Sequence, residues 1–113
     1  MPADLATLFA LIAAAILEEI VFRLGVQEAL LRWQTRRNSV ALWPANVMTA
    51  ALFAIAHALL RSWKLGFFAF PAALALGFVY ERKRRVWMCI ALHLAFNVLW
   101  LFIAPLVPIA WLV

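Results

Sequence analysis

Charged residues are scarce in this 113-residue chain: Asp, Glu, Lys and Arg make up 13%, against 69% hydrophobic residues. A soluble domain is about half apolar and about a quarter charged, and a chain of this length could not hide so much apolar surface from water. This composition excludes an ordinary soluble protein. We therefore expect one all-α, membrane-embedded domain over residues 1–113.

Residues that would support several other functions are also scarce. The single cysteine, Cys89, cannot form an intrachain disulfide. Ser39 and Ser62 both lie in predicted loops, which argues against a serine nucleophile, and the HExxH spacing of many zinc proteases is absent. The net charge of +5 is not concentrated in a basic domain that could dock on nucleic acid. We therefore expect no nucleic-acid partner.

Four hydrophobic segments approach the length of about 20 helical residues that spans a bilayer. They run from Leu5 past Arg23 to about Leu31, from Pro44 to Leu60, from Leu65 to Tyr80, and from Val86 to Ala104. Residues 105–113 include two prolines, which disfavour a regular helix. The sequence thus predicts a bundle of about four transmembrane helices.

Basic residues concentrate in two of the three predicted loops and their approaches. Eight belong to the first and third loop regions: Arg23, Arg32, Arg36, Arg37, Arg82, Lys83, Arg84 and Arg85. The second loop has only Arg61 and Lys64. The positive-inside rule then predicts that the basic loops are cytoplasmic and both termini lie outside. Membrane lipids, anionic ones included, are the partners that such loops contact.

A few polar residues nevertheless lie inside the predicted spans, where each charge costs about 2.5–3.5 kcal/mol. The ionisable ones are Glu18, Glu19, Arg23, His57 and His93, and the amides are Asn46 and Asn97. Such residues usually face a bundle interior or a wet cavity and mark functional sites. The structural alternative is that they only join helices through hydrogen bonds.

Helical spacing separates the two adjacent glutamates. Glu19 and Arg23 are four residues apart with the acid first, the order that favours an ion pair on one face. Glu18 lies about 100° around the helix from Glu19. It is therefore left as an unpaired carboxylate that can act as a general base.

Two further pairs are spaced for one helix face each: Phe53 with His57, and His93 with Asn97. If the helices bring these groups to Glu18 near mid-membrane, the carboxylate and one imidazole can activate a water. The amide and the other imidazole can stabilise an oxyanion. Such a set suits peptide hydrolysis without a covalent intermediate. The alternative within hydrolysis is a metal site, zinc for example, held by Glu18, His57 and His93.

These residues form three patterns in order along the chain, with the basic turn GFVYERKRRVW before the third. The patterns are EExxxR at residues 18–23, FxxxH at residues 53–57 and HxxxN at residues 93–97. Each lies on its own hydrophobic span. In these motifs the chain resembles the CPBP family of intramembrane proteases, the CAAX-protease and bacteriocin-processing group.

The resemblance implies a glutamic-type protease. We expect no cofactor, with a metal ion such as zinc as the alternative. Glu18 would be the water-activating base and His57 would help to position the water. Glu19 would support the site together with Arg23, and Phe53 would be structural. The HxxxN pair, His93 and Asn97, would form the side that stabilises the oxyanion.

Members of that family have about eight spans, whereas four are predicted here. The stretches WPANVMTAALFAIAHALL and FPAALALGFVYER resemble the small members paired with bacterial C-terminal sorting signals, the JDVT-CTERM type. That subtype implies a multi-pass protein of the bacterial inner membrane, and as its substrate the C-terminal membrane tail of an exported protein. Two non-proteolytic alternatives stay open: a bacteriocin self-immunity or membrane-partner binding protein, and a small transporter or proton-relay subunit.

Overall fold

The computed structural model describes residues 4–37 and 45–103, and these ranges are helical almost throughout. The elements are α1 (Leu5–Glu19), a π-helical segment (Ile20–Gln27), α2 (Glu28–Arg37), α3 (Ala45–Leu60), α4 (Trp63–Lys83) and α5 (Val86–Ile103). No strand occurs within these ranges. The prediction of an all-α fold is confirmed.

Two helical stretches, Leu5–Gln34 and Trp63–Lys83, are long and apolar enough to cross a bilayer, and the other two helices are apolar but shorter. Large apolar side chains cover the outside of the bundle; Leu59 is 81% and Phe102 74% exposed. Polar side chains lie inside it instead, among them Arg23 at 0% exposure. This inverted distribution is that of a helical membrane bundle, as the composition predicted.

The helix boundaries differ from the predicted ones at α4 and at the end of the first helical stretch, which continues to Arg37 instead of ending at about Leu31. The Ser62 hydroxyl accepts a hydrogen bond from the Leu65 N–H and starts the helix earlier than expected, while Arg84, at φ 54°, ends it after Lys83. Residues 38–44 and 104–113 lie outside the described residues. The predictions for the first loop, for Pro44 and Ala104 and for the two-proline tail stay predictions.

Small residues allow α3 and α4 to pack closely. A Cβ atom on Gly66 would lie 2.6 Å from the Ala54 carbonyl oxygen and 2.7 Å from the Ala58 Cβ. Ala50 and Ala73 form the buried core of the same interface together with Phe53. In a membrane, where the surroundings are already apolar, such close backbone approach is a main source of helix association.

A ladder of polar side chains joins the first helical stretch to α4. Glu19, Arg23 and Gln27 are each 0% exposed. Arg23 donates to Glu19 Oε1 at 2.9 Å and to Gln27 Oε1 at 2.6 Å. The ladder also reaches the α4 backbone: Arg23 donates to the Ala73 carbonyl at 3.4 Å and Gln27 to the Gly77 carbonyl at 3.1 Å. Every rung is thus hydrogen-bonded, as buried polar groups require.

The π-helical segment keeps the ladder in line. In a regular α-helix, residue i+8 lies about 80° around the axis from residue i, so Glu19 and Gln27 would face different neighbours. The wider turn appears in the backbone hydrogen bond from the Glu28 N–H to the Arg23 carbonyl, five residues back. This wider winding lets residues four apart stay on one face.

A second polar contact fixes the other end of the same stretch. Glu28 accepts hydrogen bonds from the Tyr80 hydroxyl at 2.7 Å, from Arg84 Nη1 at 2.7 Å and from Arg32 Nε at 3.1 Å. From the sequence, the basic turn is interpreted as a topology signal and as part of the family resemblance. Arg84 also holds the end of α4 against α2.

We expect Gly77→Ala to destabilise the bundle, because the added Cβ would overlap the Asn46 side chain and approach Arg23 Nη1 to 3.1 Å. Overpacking of this kind costs about 1–3 kcal/mol. Gly25→Ala is the matched control, since nothing lies within 4 Å of its Cβ position. The thermal unfolding midpoint of each variant is measured in detergent, with tryptophan fluorescence as the signal. Equal midpoints for the two variants would contradict the packing described here.

Candidate active site

The two adjacent glutamates lie in different environments. The Glu19 side chain is 0% exposed, while that of Glu18 is 26% exposed. The predicted ion pair between Glu19 and Arg23 forms, with Nε 2.9 Å from Oε1. Glu18 takes no part in it, as the 100° offset on the helix predicted.

Glu19 has a second partner that the sequence did not predict. His93 Nδ1, from α5, lies 2.8 Å from Glu19 Oε2. Because an ionised carboxylate only accepts hydrogen bonds, His93 donates its Nδ1 proton here. Its other nitrogen, Nε2, is thereby directed to the opposite side, 3.9 Å from Glu18 Oε1. One acid thus orients the ring that faces the other acid.

His57 is held in a similar way by its own helix. Its Nδ1 donates to the carbonyl of Phe53, one turn earlier, at 2.9 Å, since a carbonyl oxygen can only accept. Its ring stacks on the Phe53 ring with centroids 4.3 Å apart and an angle of 28°. Phe53 itself is buried and packs edge-on against Phe22 at 5.0 Å. This fixed ring places His57 Nε2 3.6 Å from Glu18 Oε1.

The two imidazoles therefore direct their Nε2 atoms toward the same carboxylate oxygen, from two different helices. Distances of 3.6 Å and 3.9 Å are longer than those of well-formed direct hydrogen bonds. Polar contacts of this length are commonly bridged by a water. The arrangement can hold one solvent molecule between a base and two nitrogen atoms.

Two cavities, each of about 190 Å³, adjoin this point and share His57, His93 and Asn97 in their walls. The first, here called the polar cavity, also includes Glu18 and Arg61. The second, the apolar cavity, has mainly apolar walls that include Phe68, Ala69, Ala72, Leu76 and Phe96. The site therefore offers a charged space and an apolar space that both adjoin the histidines.

The structure brings most of the candidate residues to the polar cavity. Glu18, His57, His93 and Asn97 line it, while Glu19 lies behind His93 and is fully buried. Sequence reasoning missed Arg61, which follows His57 by four residues, a spacing that puts both on one helix face. It also missed the contact between Glu19 and His93, for which no local spacing is a signal.

Two features of the sequence remain to be placed in the structure: the zinc alternative and Cys89. Among the described residues, no three His, Cys, Asp or Glu side chains are arranged to hold a metal ion. Glutamic-type catalysis and the metal alternative at Glu18, His57 and His93 both stay predictions. Cys89 is fully buried, and its Sγ donates a weak hydrogen bond to the Leu76 carbonyl at 3.5 Å. It has a packing role there.

We expect Glu19→Gln to reduce stability more than Glu18→Gln. The first change removes the charge that compensates the fully buried Arg23, and breaking such a pair costs about 3–5 kcal/mol. The second alters a partly exposed carboxylate outside that pair. The amount of inserted protein and its thermal midpoint in detergent measure the difference. Equal losses in the two variants would show that Arg23 does not depend on Glu19.

Comparison with known proteins identifies the family. The family model described as Type II CAAX prenyl endopeptidase Rce1-like matches residues 3–99, which include all three motifs. No curated protein and no solved structure matches the chain at a significant level. Membership of such a family indicates intramembrane endopeptidase activity. The chain belongs to the Rce1-like family of type II CAAX prenyl endopeptidases, in agreement with its resemblance to the CPBP proteases.

Proposed function

We propose that residues 1–113 form one glutamic-type intramembrane protease domain, which hydrolyses a peptide bond in a membrane-associated or C-terminal-tail substrate. The observation that carries the proposal is the approach of both Nε2 atoms to Glu18 Oε1, at 3.6 Å and 3.9 Å. A carboxylate beside two oriented imidazoles has the groups needed to hold and deprotonate a water.

In the proposed first step, Glu18 accepts a proton from the water while His57 Nε2 accepts a hydrogen bond from it. The water oxygen then forms a bond to the carbonyl carbon of the substrate. The Phe53 carbonyl and ring keep His57 oriented throughout. Because the rings are already fixed, little reorganisation is needed when charge develops.

The carbonyl oxygen becomes an oxyanion in this step, and we assign its stabilisation to His93 and Asn97. To donate from Nε2, His93 must carry protons on both nitrogens, and its Nδ1 proton is then bonded to the Glu19 carboxylate. Glu18 then returns its proton to the amide nitrogen, the C–N bond breaks, and a carboxylic acid and an amine leave. No step requires a covalent enzyme intermediate or a metal.

Two features support a membrane-associated peptide as the substrate. The apolar cavity adjoins the histidines and can take an apolar side chain next to the cleaved bond. The polar cavity lies close to the junction of α3 and α4, because it includes Arg61 and Leu65. If the basic loops are cytoplasmic, that junction faces the outside of a bacterial inner membrane. The tail of an exported protein, as in the JDVT-CTERM type, would be processed there.

We expect Glu18→Gln to lower the rate of substrate cleavage by about a hundredfold or more, because it removes the general base. Glu81→Gln is the matched control, since Glu81 is an exposed glutamate of α4 outside the site. Cleavage of a tagged sorting-tail protein in membranes, with and without a chelator, measures both variants.

Wild-type cleavage by Glu18→Gln would contradict the proposed mechanism. Loss of cleavage in the chelator would show that a metal takes part. A self-immunity or partner-binding protein would retain its effect in the Glu18→Gln variant, and a proton relay would lose ion coupling without any cleavage.

We also expect Ala72→Leu to narrow specificity, because Ala72 lines the apolar cavity. A pocket that loses the volume of a few methyl groups should discriminate against a large side chain, relative to a small one, by about tenfold or more. Two membrane-anchored reporters, with Phe or Ala beside the cleaved bond, measure the ratio of rates. The cleavage rate of the Phe reporter should fall more than that of the Ala reporter. Ala75→Leu, at an exposed position of the same helix, should leave the ratio unchanged, and an equal change in both variants would exclude the cavity as the specificity pocket.

A further inference from the structure

An open groove lies on the outer face of α3 and α4, apart from the two cavities of the site. It has a volume of about 520 Å³ and shares no wall residue with the polar or the apolar cavity. Every residue in its walls is apolar, from the small Ala54 and Ala58 to the exposed aromatic side chains of Trp63 and Phe67. A groove of this volume is large enough for a small-molecule ligand.

The length of the groove matches one half of a bilayer. On α4 its walls run from Trp63 to Pro71, about 12 Å along the axis, and on α3 from Ala51 to Ala58, about 10 Å. The hydrocarbon core is about 30 Å thick, so one leaflet contributes about 15 Å. A second transmembrane helix would extend well beyond the groove, whereas one lipid acyl chain ends within its own leaflet.

The end of the groove at the junction of α3 and α4 is positively charged. Lys64 Nζ lies 5.6 Å from the centroid of the Trp63 ring, which lines the groove. Helix α4 begins here, after its cap Ser62, and a helix N-terminus adds partial positive charge. The sequence has no acidic residue between Glu28 and Glu81. An apolar groove with a cation and a tryptophan at its interfacial end suits an anionic lipid headgroup.

We propose that this groove binds one phospholipid of net negative charge, with an acyl chain between α3 and α4 and the phosphate beside Lys64. The apolar walls, the depth of one leaflet and the charge at one end are the three features that such a lipid matches. A second copy of the chain fits less well, because its helices would place apolar side chains next to the Lys64 ammonium. The lipid site is separate from the proposed catalytic groups and does not depend on proteolysis.

Photolabelling of the wild-type protein tests the proposal. The protein is reconstituted in phosphatidylcholine nanodiscs with a trace of a lipid that carries a photoreactive diazirine in one acyl chain. The probe is either phosphatidylglycerol or phosphatidylcholine with the same chains, and peptide mass spectrometry locates the label. Label should concentrate on the stretch from Ala51 to Ala58, above the level on the exposed α5 residues Val98 and Phe102. The anionic probe should label the groove about fivefold more than the zwitterionic probe, as expected for one basic side chain.

Two variants separate the contributions of charge and groove wall, with labelling measured on α3. Lys64→Gln should bring the ratio of the two probes close to one, while Lys83→Gln, at the other end of α4, should retain it. Phe67→Ala should lower labelling by both probes about fivefold, because it removes apolar contact with the chain. Phe78→Ala is its matched control, an exposed phenylalanine of the same helix outside the groove.

Three results would overturn the proposal. Equal labelling of the groove and of the α5 surface would mean that only bulk lipid passes over it. Equal labelling by the two probes, or an unchanged ratio in Lys64→Gln, would exclude the headgroup contact. A dimer in the nanodiscs that Phe67→Ala converts to a monomer would show that a second copy occupies the groove. Because the readout is the position of a lipid, failure of the hydrolytic mechanism does not alter it.

Discussion

A carboxylate that is fully removed from solvent must be compensated where it lies, and Glu19 is compensated twice. Arg23 Nε approaches one of its oxygens at 2.9 Å and His93 Nδ1 the other at 2.8 Å. The first contact neutralises the charge within one helix, and the second connects that helix to α5. Removing Arg23 or His93 would leave the buried Glu19 carboxylate without one of its two partners. The same carboxylate therefore stabilises the bundle through its ion pair with Arg23 and orients His93 toward Glu18.

The rest of the fold supports that arrangement from the side of α4. Arg23 and Gln27 use the Ala73 and Gly77 carbonyls as acceptors, and the absence of a side chain at Gly77 leaves room for Asn46 and Arg23. The π-helical segment brings these polar groups into line. A site that must hold its groups to within fractions of an ångström is thereby built on rigid helices rather than on loops.

The sequence predicted the helices, the pairing of Glu19 with Arg23 and the separate position of Glu18, because all of these follow from spacing within one helix. The contact of His93 with Glu19 spans 74 residues, and no local pattern encodes it. The π-helical segment was missed because its sequence is compatible with a regular helix. Arg61 was counted only as a loop charge, although its spacing from His57 could have placed it on the same face.

Nitrogen-15 NMR of labelled histidines in the reconstituted protein tests the central claim most directly. The account predicts that His57 and His93 both carry a proton on Nδ1, bonded to the Phe53 carbonyl and to Glu19 respectively. Glu19→Gln should then shift the signals of His93 much more than those of His57. A bare Nδ1 on His93, with its proton on Nε2, would mean that Glu19 does not orient the ring and would contradict the account.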